Sequence, residues 1–150
     1  MGLLPLQSEV WFDYPITVQP HHTDYAGVVW HGSYLAWMEE ARVAALKQVG
    51  VEFADLVAIG CDLPVIDLQL NYRKAVQMGQ QVRVRSCLKA VERVRLIWIQ
   101  NVCALETELC YVAGRVVNVP VDRQQQKIVR AFPPLLEKAI AGLTRSTEAF

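Results

Sequence analysis

The stretch that decides the fold runs from a polar loop into a long apolar segment, PHHTDYAGVVWHGSYLAWMEEARVAALKQVG, residues 20–50. Its second part predicts a helix over His31–Val49, because apolar residues recur there at helical spacing, and Gly50 supplies a C-terminal stop. The apolar positions cover more than one stripe: Tyr34, Leu35, Trp37, Met38, Ala41, Ala44, Ala45, Leu46 and Val49. We expect a helix with so wide an apolar arc to be largely enclosed by its neighbours.

Outside this helix the apolar period changes to that of strands. Segments rich in Val, Ile and aromatic residues predict one short strand before the loop and a run of longer ones after the helix. These are Tyr14–Gln19, Leu63–Tyr72, Gln81–Val91, Val94–Leu105 and Leu109–Val119, with shorter helices predicted over Glu52–Ile59 and Leu135–Leu143. Such a sheet must bury its apolar face, so the sequence predicts an α+β fold with a curved antiparallel sheet wrapped around the long central helix.

Length and composition narrow the function further. The 150 residues fit a single domain, and no linker divides residues 1–150. Basic and acidic residues are equal in number, which argues against a general nucleic-acid binder. The segment Met1–Phe12 lacks the features of a signal peptide and no run approaches the roughly 20 apolar residues of a membrane span, so we expect a cytoplasmic protein. The four cysteines have no metal-ligand spacing and are expected in the core.

The loop before the long helix carries the most informative acid, Asp24. A helix N-terminus presents backbone N–H groups without partners and a partial positive charge, which suits a developing oxyanion. A carboxylate a few residues upstream can lie beside the carbon under attack, so Asp24 and the helix start suffice for acyl transfer to water. The alternative is that Asp24 only caps a helix or stabilises the loop.

A resemblance favours the catalytic interpretation. The segment is similar to the 4-hydroxybenzoyl-CoA thioesterase family of hot-dog proteins, in particular the short acyl-CoA thioesterases linked to the Tol-Pal cluster. Their signature is close to D-T-D-x-x-G-V-V-Y-H-x-x-Y followed by E-x-A-R. The positions here that match it in order are Thr23, Asp24, Gly27, Val28, Val29, His31, Tyr34, Glu39, Ala41 and Arg42.

The resemblance implies specific roles. Asp24 falls on the catalytic acid, and the His31 backbone N–H falls on the donor that polarises the thioester carbonyl. It also implies an acyl-CoA substrate, no cofactor or metal, and a homodimer or homotetramer with sites built from two chains. Tyr25 and Gly27 would contact the substrate from the same loop. Departures at His22, Trp30 and Lys74, where the family has an acid, Tyr and Pro, affect the identity of the substrate more than the reaction.

Other polar residues in this region have competing explanations. The His31 side chain either orients Asp24 or binds substrate, or it is an ordinary residue of the first helical turn. A metal site at His21 and His22 is disfavoured, because adjacent His side chains rarely converge and no further ligands follow. Glu39 is an alternative acid, since a related hot-dog branch uses a helix-borne Glu, but with Asp24 present we expect Glu39 to pair with Arg42.

Basic residues offer two candidate clamps for the phosphates of coenzyme A. One is the strand and turn carrying Arg83, Arg85, Lys89, Arg93 and Arg95, where the resemblance favours Arg93 and Glu92 introduces an unexpected acid. The other is Arg73 and Lys74. An ordinary solvated face is the alternative explanation for the first cluster.

The sequence therefore predicts an acyl-CoA thioesterase, with the acyl preference left open among aliphatic, hydroxybenzoyl and 1,4-dihydroxy-2-naphthoyl groups. Leu35, Met38 and Val65 are expected to set the depth of the acyl pocket. Whether Asp24 attacks the carbonyl or activates water is also open. A non-catalytic acyl-CoA or acyl-carrier binding module is the main alternative. A hot-dog hydratase is disfavoured because its paired Asp and His motif is missing from the sequence.

Overall fold

The computed structural model describes residues 4–5 and 9–145. The helices are α1 (His31–Gln48), α2 (Phe53–Ala58) and α3 (Pro134–Thr144), and a short 3-10 turn covers Pro20–His22. The strands are β1 (Leu4–Pro5), β2 (Phe12–Thr17), β3 (Cys61–Asp62), β4 (Val65–Tyr72), β5 (Gln81–Glu92), β6 (Arg95–Ala104), β7 (Cys110–Asn118), β8 (Val121–Asp122) and β9 (Lys127–Ile128). The predicted long helix, both shorter helices and the predicted strands are confirmed. Half of the segment Met1–Phe12, residues 1–3 and 6–8, lies outside the described residues.

The main sheet is antiparallel and has the order β1–β5–β6–β7–β4, with β2 also paired to β5. The strands β1 and β2 lie one after the other along the same edge of β5, opposite Val91 and Gln81 respectively at their outer ends. At the other edge β4 pairs with β7, from Val65 opposite Asn118 to Tyr72 opposite Val112. Among the described strands, β4 has a neighbour on one side only.

Helix α1 lies against the concave face of this sheet. Trp37, Met38 and Ala41 are buried on the helix and pack with Val84 and Trp98 of the sheet in one core cluster. The sheet approaches the helix closely at Gly114, where an added Cβ would lie 3.0 Å from Met38 Cε and 2.7 Å from the Gln100 carbonyl oxygen. A side chain at this position would push the sheet away from the helix, so the wrapped arrangement depends on glycine here.

Two sequence expectations need correction. Helix α1 is not enclosed all round by its own chain, because Leu35 is 39% exposed and Ala36 is exposed beside it. The apolar face that carries Leu35 therefore remains available to another molecule. The small second sheet of β3, β8 and β9 was also missed, because strands of two residues carry no periodic signal.

The cysteines are free thiols, with Cys61, Cys87 and Cys103 buried and Cys110 partly buried, as expected for core packing. Burial is the main reason that the pKa of Cys103 rises to about 11, and neighbouring Cys110 adds to the effect. Burial raises the pKa of Cys61 and Cys87 as well, so these three buried thiols stay protonated and unreactive at neutral pH. No helix in the described ranges is long and apolar enough to cross a membrane.

Candidate active site

A cleft of about 420 Å³ opens where the polar loop meets the first turn of α1 and the end of β4. It is lined by Asp24, Val28, Val29, Trp30, His31, Tyr34, Tyr72, Arg73, Lys74 and Ala75. Asp24, His31, Arg73 and Lys74 were all named from the sequence. The structure thus brings the predicted acid, the helix N-terminus and one of the two predicted basic pairs into one cavity.

Hydrogen bonds along the loop fix the position of Asp24. Its backbone N–H donates to the Val28 carbonyl at 2.9 Å, and its carbonyl accepts from the Gly27 N–H at 3.0 Å. Its carboxylate Oδ1 accepts from the Ala26 N–H at 2.8 Å, which is an Asx turn. Gly27 has a φ of +79°, a left-handed conformation that glycine adopts without strain. The loop-stabilising explanation is therefore partly correct, and Oδ1 has this role.

The helix start lies next to this loop and is not capped by Asp24. The residue before α1 is Trp30, and no side chain caps the helix. The Trp30 N–H and the Ser33 hydroxyl both donate to the His22 carbonyl, at 3.0 Å and 2.8 Å. In the described part of the chain, the backbone N–H groups of His31 and Gly32 donate to no acceptor. Two donors at a helix N-terminus are thus available at the edge of the cleft.

The first turn of α1 is shaped by Trp30 and Gly32. A Cβ at Gly32 would lie 2.1 Å from an atom of the Trp30 ring, so only glycine permits the indole to cover this turn. The His31 ring lies tilted against the indole with a centroid distance of 4.9 Å and is exposed. No hydrogen bond joins the His31 side chain to Asp24 in the described residues. At His31 the backbone N–H is thus available at the cleft, whereas the imidazole does not orient Asp24 through a hydrogen bond.

His22 holds the preceding turn in place. Its Nδ1 accepts a hydrogen bond from the Gln19 N–H at 2.9 Å, so the ring must be neutral at that nitrogen. Partial burial lowers the pKa of His22, neighbouring His21 lowers it further, and Glu40 opposes the shift. Within the described residues no group of His, Cys, Asp and Glu side chains converges as a metal site would require.

Two tyrosines line the cleft and were not assigned a role in the site from the sequence. The rings of Tyr34 on α1 and Tyr72 at the end of β4 lie 5.8 Å apart. Burial raises the pKa of Tyr34, so it is a neutral phenol at physiological pH. The signal for Tyr34 was its fixed position in the motif, whereas Tyr72 enters the cleft only because the sheet curves around α1.

The two predicted basic clamps occupy different places. Arg73 and Lys74 line the cleft, and both of their N–H groups donate to the Tyr111 carbonyl, at 2.8 Å and 3.1 Å. Arg93 and Arg95 lie at the turn between β5 and β6, at the far end of the twelve-residue strand β5 from the loop that holds Asp24. Within one chain, they are not brought to the cleft.

The rest of the predicted basic cluster is neutralised by carboxylates. Arg83 contacts Asp13 at 3.0 Å and Glu108 at 3.1 Å, and Arg85 contacts the same two carboxylates at 3.2 Å. Lys89 forms an ion pair with Glu9. This face of β5 is therefore a network of paired charges and not a free cationic surface.

The remaining predicted residues lie around the cleft or beyond it. Tyr25 is fully exposed and does not line the cavity, and Gly27 contributes backbone geometry rather than a cleft surface. Val65 lines a second cavity of about 180 Å³ together with Leu35, Met38, Glu39, Arg42, Leu68 and Val116. The three residues expected to set acyl depth therefore share one cavity.

The expected pairing of Glu39 with Arg42 is wrong. The Arg42 Nη1 donates instead to the Gln100 Oε1 at 2.8 Å, on the sheet beneath the helix. Burial lowers the pKa of Arg42, and the nearby Glu39 carboxylate partly opposes this shift. Glu39 is exposed and makes no ion pair within the described residues.

Comparison with known proteins agrees with this arrangement. Residues 26–111 match the model of the thioesterase superfamily. A Synechocystis sp. protein named provisionally as an esterase is 45% identical over 91% of this chain and 82% of its own length. The acyl-CoA thioester hydrolase YbgC of Escherichia coli O6:H1 is 27% identical over 81% of this chain and 90% of its own. A solved DHNA-CoA thioesterase from Staphylococcus aureus superposes with a TM-score of 0.80 at 25% identity, covering 87% of this chain and 89% of that one.

The fold and the cleft thus define a hot-dog protein whose loop acid lies beside an uncapped helix N-terminus. The chain belongs to the thioesterase superfamily.

Proposed function

We propose that the protein hydrolyses an acyl-CoA thioester to the free acid and coenzyme A, with Asp24 as the catalytic carboxylate. The observation that carries this proposal is the shared cleft, in which Asp24 lies with the first turn of α1 and two cations. An acid, oxyanion donors and a phosphate clamp are the groups that hydrolysis of this substrate class requires. The thioester hydrolase and thioesterase names of the relatives support the same reaction.

The reaction needs only groups at the cleft. The His31 N–H, with Gly32 beside it, donates to the thioester oxygen as negative charge develops there. Asp24 either attacks the carbonyl carbon, forming an acyl–aspartyl anhydride that water then hydrolyses, or removes a proton from a water that attacks directly. In both routes the C–S bond breaks, the water oxygen ends in the free acid, and one proton of that water ends on the coenzyme A sulfur. Because Oδ1 accepts from Ala26, the other carboxylate oxygen is the one that acts. Tyr34 and Tyr72 line the same cleft with their aromatic rings.

Arg73 and Lys74 are suited to bind the phosphates of coenzyme A. They are exposed at the mouth of the cleft, and their backbone is fixed to Tyr111, so the two side chains extend from an anchored turn. Arg93 and Arg95 would serve the same purpose only if a second chain placed its β5–β6 turn beside this cleft. In an oligomer, Arg93 and Arg95 of one chain are thus proposed to contact the phosphates bound at the cleft of another chain.

The active unit is proposed to be a dimer or a larger oligomer. The strand β4 is an edge whose exposed apolar residues include Val65, Ile66, Leu68 and Tyr72. An unpaired edge with apolar side chains favours association with another chain. Leu35 and the cavity around Val65 lie along the same edge, so a partner would close the acyl pocket.

The acyl group is best sought with a substrate panel. Relatives named as 1,4-dihydroxy-2-naphthoyl-CoA hydrolases include one that is 34% identical over 48% of this chain, which supports an aromatic acyl group as one candidate. The motif residues also support the narrower branch of short acyl-CoA thioesterases linked to the Tol-Pal cluster. A non-catalytic binding module would not need Asp24 beside the helix N-terminus.

Release of coenzyme A with a thiol reagent tests the function directly. Aliphatic, hydroxybenzoyl and dihydroxynaphthoyl thioesters are compared at equal concentration with the purified full chain. Turnover with at least one of them is expected. Binding of the thioesters without release of thiol from any of them would indicate a binding module instead.

A further inference from the structure

A stripe of α1 residues connects the cleft at Asp24 with the second cavity. His31, Tyr34, Leu35, Met38, Glu39 and Arg42 recur every three or four residues and line one or the other cavity. Tyr72 of β4 lines the cleft, and Leu68 and Val65 of β4 line the second cavity. The two cavities therefore follow one another along the same helix and sheet edge, and we call them together the groove. From His31 to Arg42 the helix rises about 16 Å. An acyl chain that starts at the oxyanion donors and fills this groove ends near Arg42.

The far end of the groove is polar although its surroundings are apolar. Arg42 lines both the groove and an inner cavity of about 30 Å³ beneath the helix. Leu46, Phe53, Leu63, Leu96, Leu136 and Leu143 form most of that cavity. A basic side chain between an acyl groove and a leucine-lined cavity has no packing advantage over an aliphatic one, and the Gln100 Oε1 accepts from Nη1 only. The other guanidinium N–H groups therefore call for a further polar partner.

Two buried polar atoms point to the same place. Asn118 is 4% exposed and Trp98 is 2% exposed, and both line the inner cavity. The Asn118 Oδ1 and the Trp98 Nε1 are buried without a hydrogen-bond partner among the described residues. One is an acceptor and the other a donor, and an unsatisfied buried group of either kind is destabilising. A cavity of this volume holds one water-sized oxygen.

The charges of Arg42 and Glu39 indicate whether an oxygen bound at the groove end is charged or neutral. Arg42 uses Nη1 on Gln100, and Gln100 uses its own amide N–H groups on the Met38 carbonyl and the Ser86 hydroxyl, both at 2.9 Å. The guanidinium therefore has further N–H groups for a ligand at the groove end. Glu39 lines the same two cavities, so a carboxylate placed there would meet a negative charge as well as a positive one. A hydroxyl or oxo group would meet donors and acceptors without that repulsion.

We propose that Arg42, Asn118 and Trp98 form a polar subsite that binds an uncharged oxygen on the acyl group, far from the thioester. This assignment rests on the proposed thioesterase function. The substrate class is then an acyl-CoA with a hydroxyl or oxo group near the end of a medium chain. Given C–C bonds of about 1.5 Å at tetrahedral angles, an extended chain advances about 1.25 Å per carbon, so a chain that reaches the subsite has roughly ten to fourteen carbons. A bound water is the other source of such an oxygen.

A paired set of substrates tests the subsite. The values of kcat/KM are measured for decanoyl-, dodecanoyl- and tetradecanoyl-CoA and for their ω-hydroxy counterparts. One of the ω-hydroxy substrates is expected to exceed its parent by about tenfold or more, since a hydrogen bond to a charged group contributes that much. Equal values for all three pairs would overturn the subsite and leave the oxygen to water. Preference for the dicarboxylic monothioester would overturn the uncharged assignment.

Substitutions at the subsite distinguish a loss of binding to the acyl oxygen from a general disturbance of the structure. Arg42→Met keeps length but removes the donors, and Trp98→Phe removes only Nε1, so both are expected to reduce the ratio between hydroxy and parent substrates toward one. A purely structural effect would lower both members of a pair together. Arg115→Met on the outer face of β7, where Arg115 pairs with Asp67 at 3.2 Å, is the control and should leave the ratio unchanged. Absence of hydrolysis of every acyl-CoA would instead overturn the proposed thioesterase function and the subsite with it.

Discussion

The Asp24 Oδ1 accepts a hydrogen bond from the Ala26 N–H at 2.8 Å, so one carboxylate oxygen stabilises the loop and the other is left for the proposed chemistry. This contact makes Asp24→Asn an informative substitution. An asparagine oriented with its amide oxygen toward Ala26 keeps the turn, but it neither attacks a carbonyl nor accepts a proton at neutral pH.

We expect Asp24→Asn to lower kcat by at least about 100-fold, the lower range for loss of acid–base assistance. Thermal stability should stay close to that of the parent, because the Asx turn is retained. Asp55→Asn, at an exposed position in α2, is the matched control and should keep full activity. A folded Asp24→Asn protein with near-normal kcat would shift the catalytic role to Glu39.

Gly27→Ala should disturb the loop that holds Asp24 through backbone strain and not through a steric clash. A Cβ at Gly27 would meet no atom within 4 Å, but φ is +79°, where an L-residue costs roughly 1–2 kcal/mol. Gly60 offers an equivalent control, since its φ is +83° and its Cβ would also meet nothing within 4 Å. Both alanine variants should lose similar thermal stability, whereas only Gly27→Ala should lower kcat. Equal kcat values for the two would show that the loop geometry is not needed for activity.

The loop, the helix and the main strands could be predicted because each has a local sequence pattern. The loop has the motif around Asp24, the helix has apolar residues at helical spacing after His31, and β5 has alternating apolar and polar residues. Which of the basic residues line the cleft could not be predicted. Arg93 and Lys74 look alike as isolated basic residues, and only the curvature of the sheet places one in the cleft and the other at the far end of β5. The surroundings of Tyr72 and Asn118 could not be predicted either. Alternation along their strands indicates that both face inward but does not show which residues they contact.

The two candidate clamps can be distinguished by kinetics. Lys74→Ala and Arg73→Ala should each raise KM for acyl-CoA with little change in kcat, because the phosphates are remote from the reacting carbon. The increase should be larger at low salt, where charges are less screened. Arg93→Ala is the comparison variant in the same assay. If Arg93→Ala alone raises KM, the phosphates are bound by the β5–β6 turn of a second chain.

Association through β4 predicts a charge-sensitive interface. Sedimentation or scattering should give at least a dimer for the parent chain. Ile66→Lys places a charge on the exposed edge, away from the residues that line the groove, and should weaken association by tenfold or more, since burying a side chain of this size contributes about 1.5–3 kcal/mol. Activity should fall with the oligomer if the partner closes the acyl pocket. A fully active monomer would exclude the two-chain site.

We expect His22 to make the stability of the folded chain sensitive to acid. Burial and neighbouring His21 hold its pKa below the ordinary value of 6.5, so the unfolded chain takes up a proton before the folded chain does. Stability from this group is therefore complete above about pH 6.5 and declines as pH falls toward the lower folded pKa. Protonation at Nδ1 would also remove the acceptor of the Gln19 N–H.

The variant His22→Asn tests this, because asparagine retains an acceptor and has no proton to gain. Urea unfolding at about pH 7.5 and about pH 5.5 should show a smaller acid-induced loss for His22→Asn than for the parent chain. The same loss in both proteins would assign the acid sensitivity to other groups.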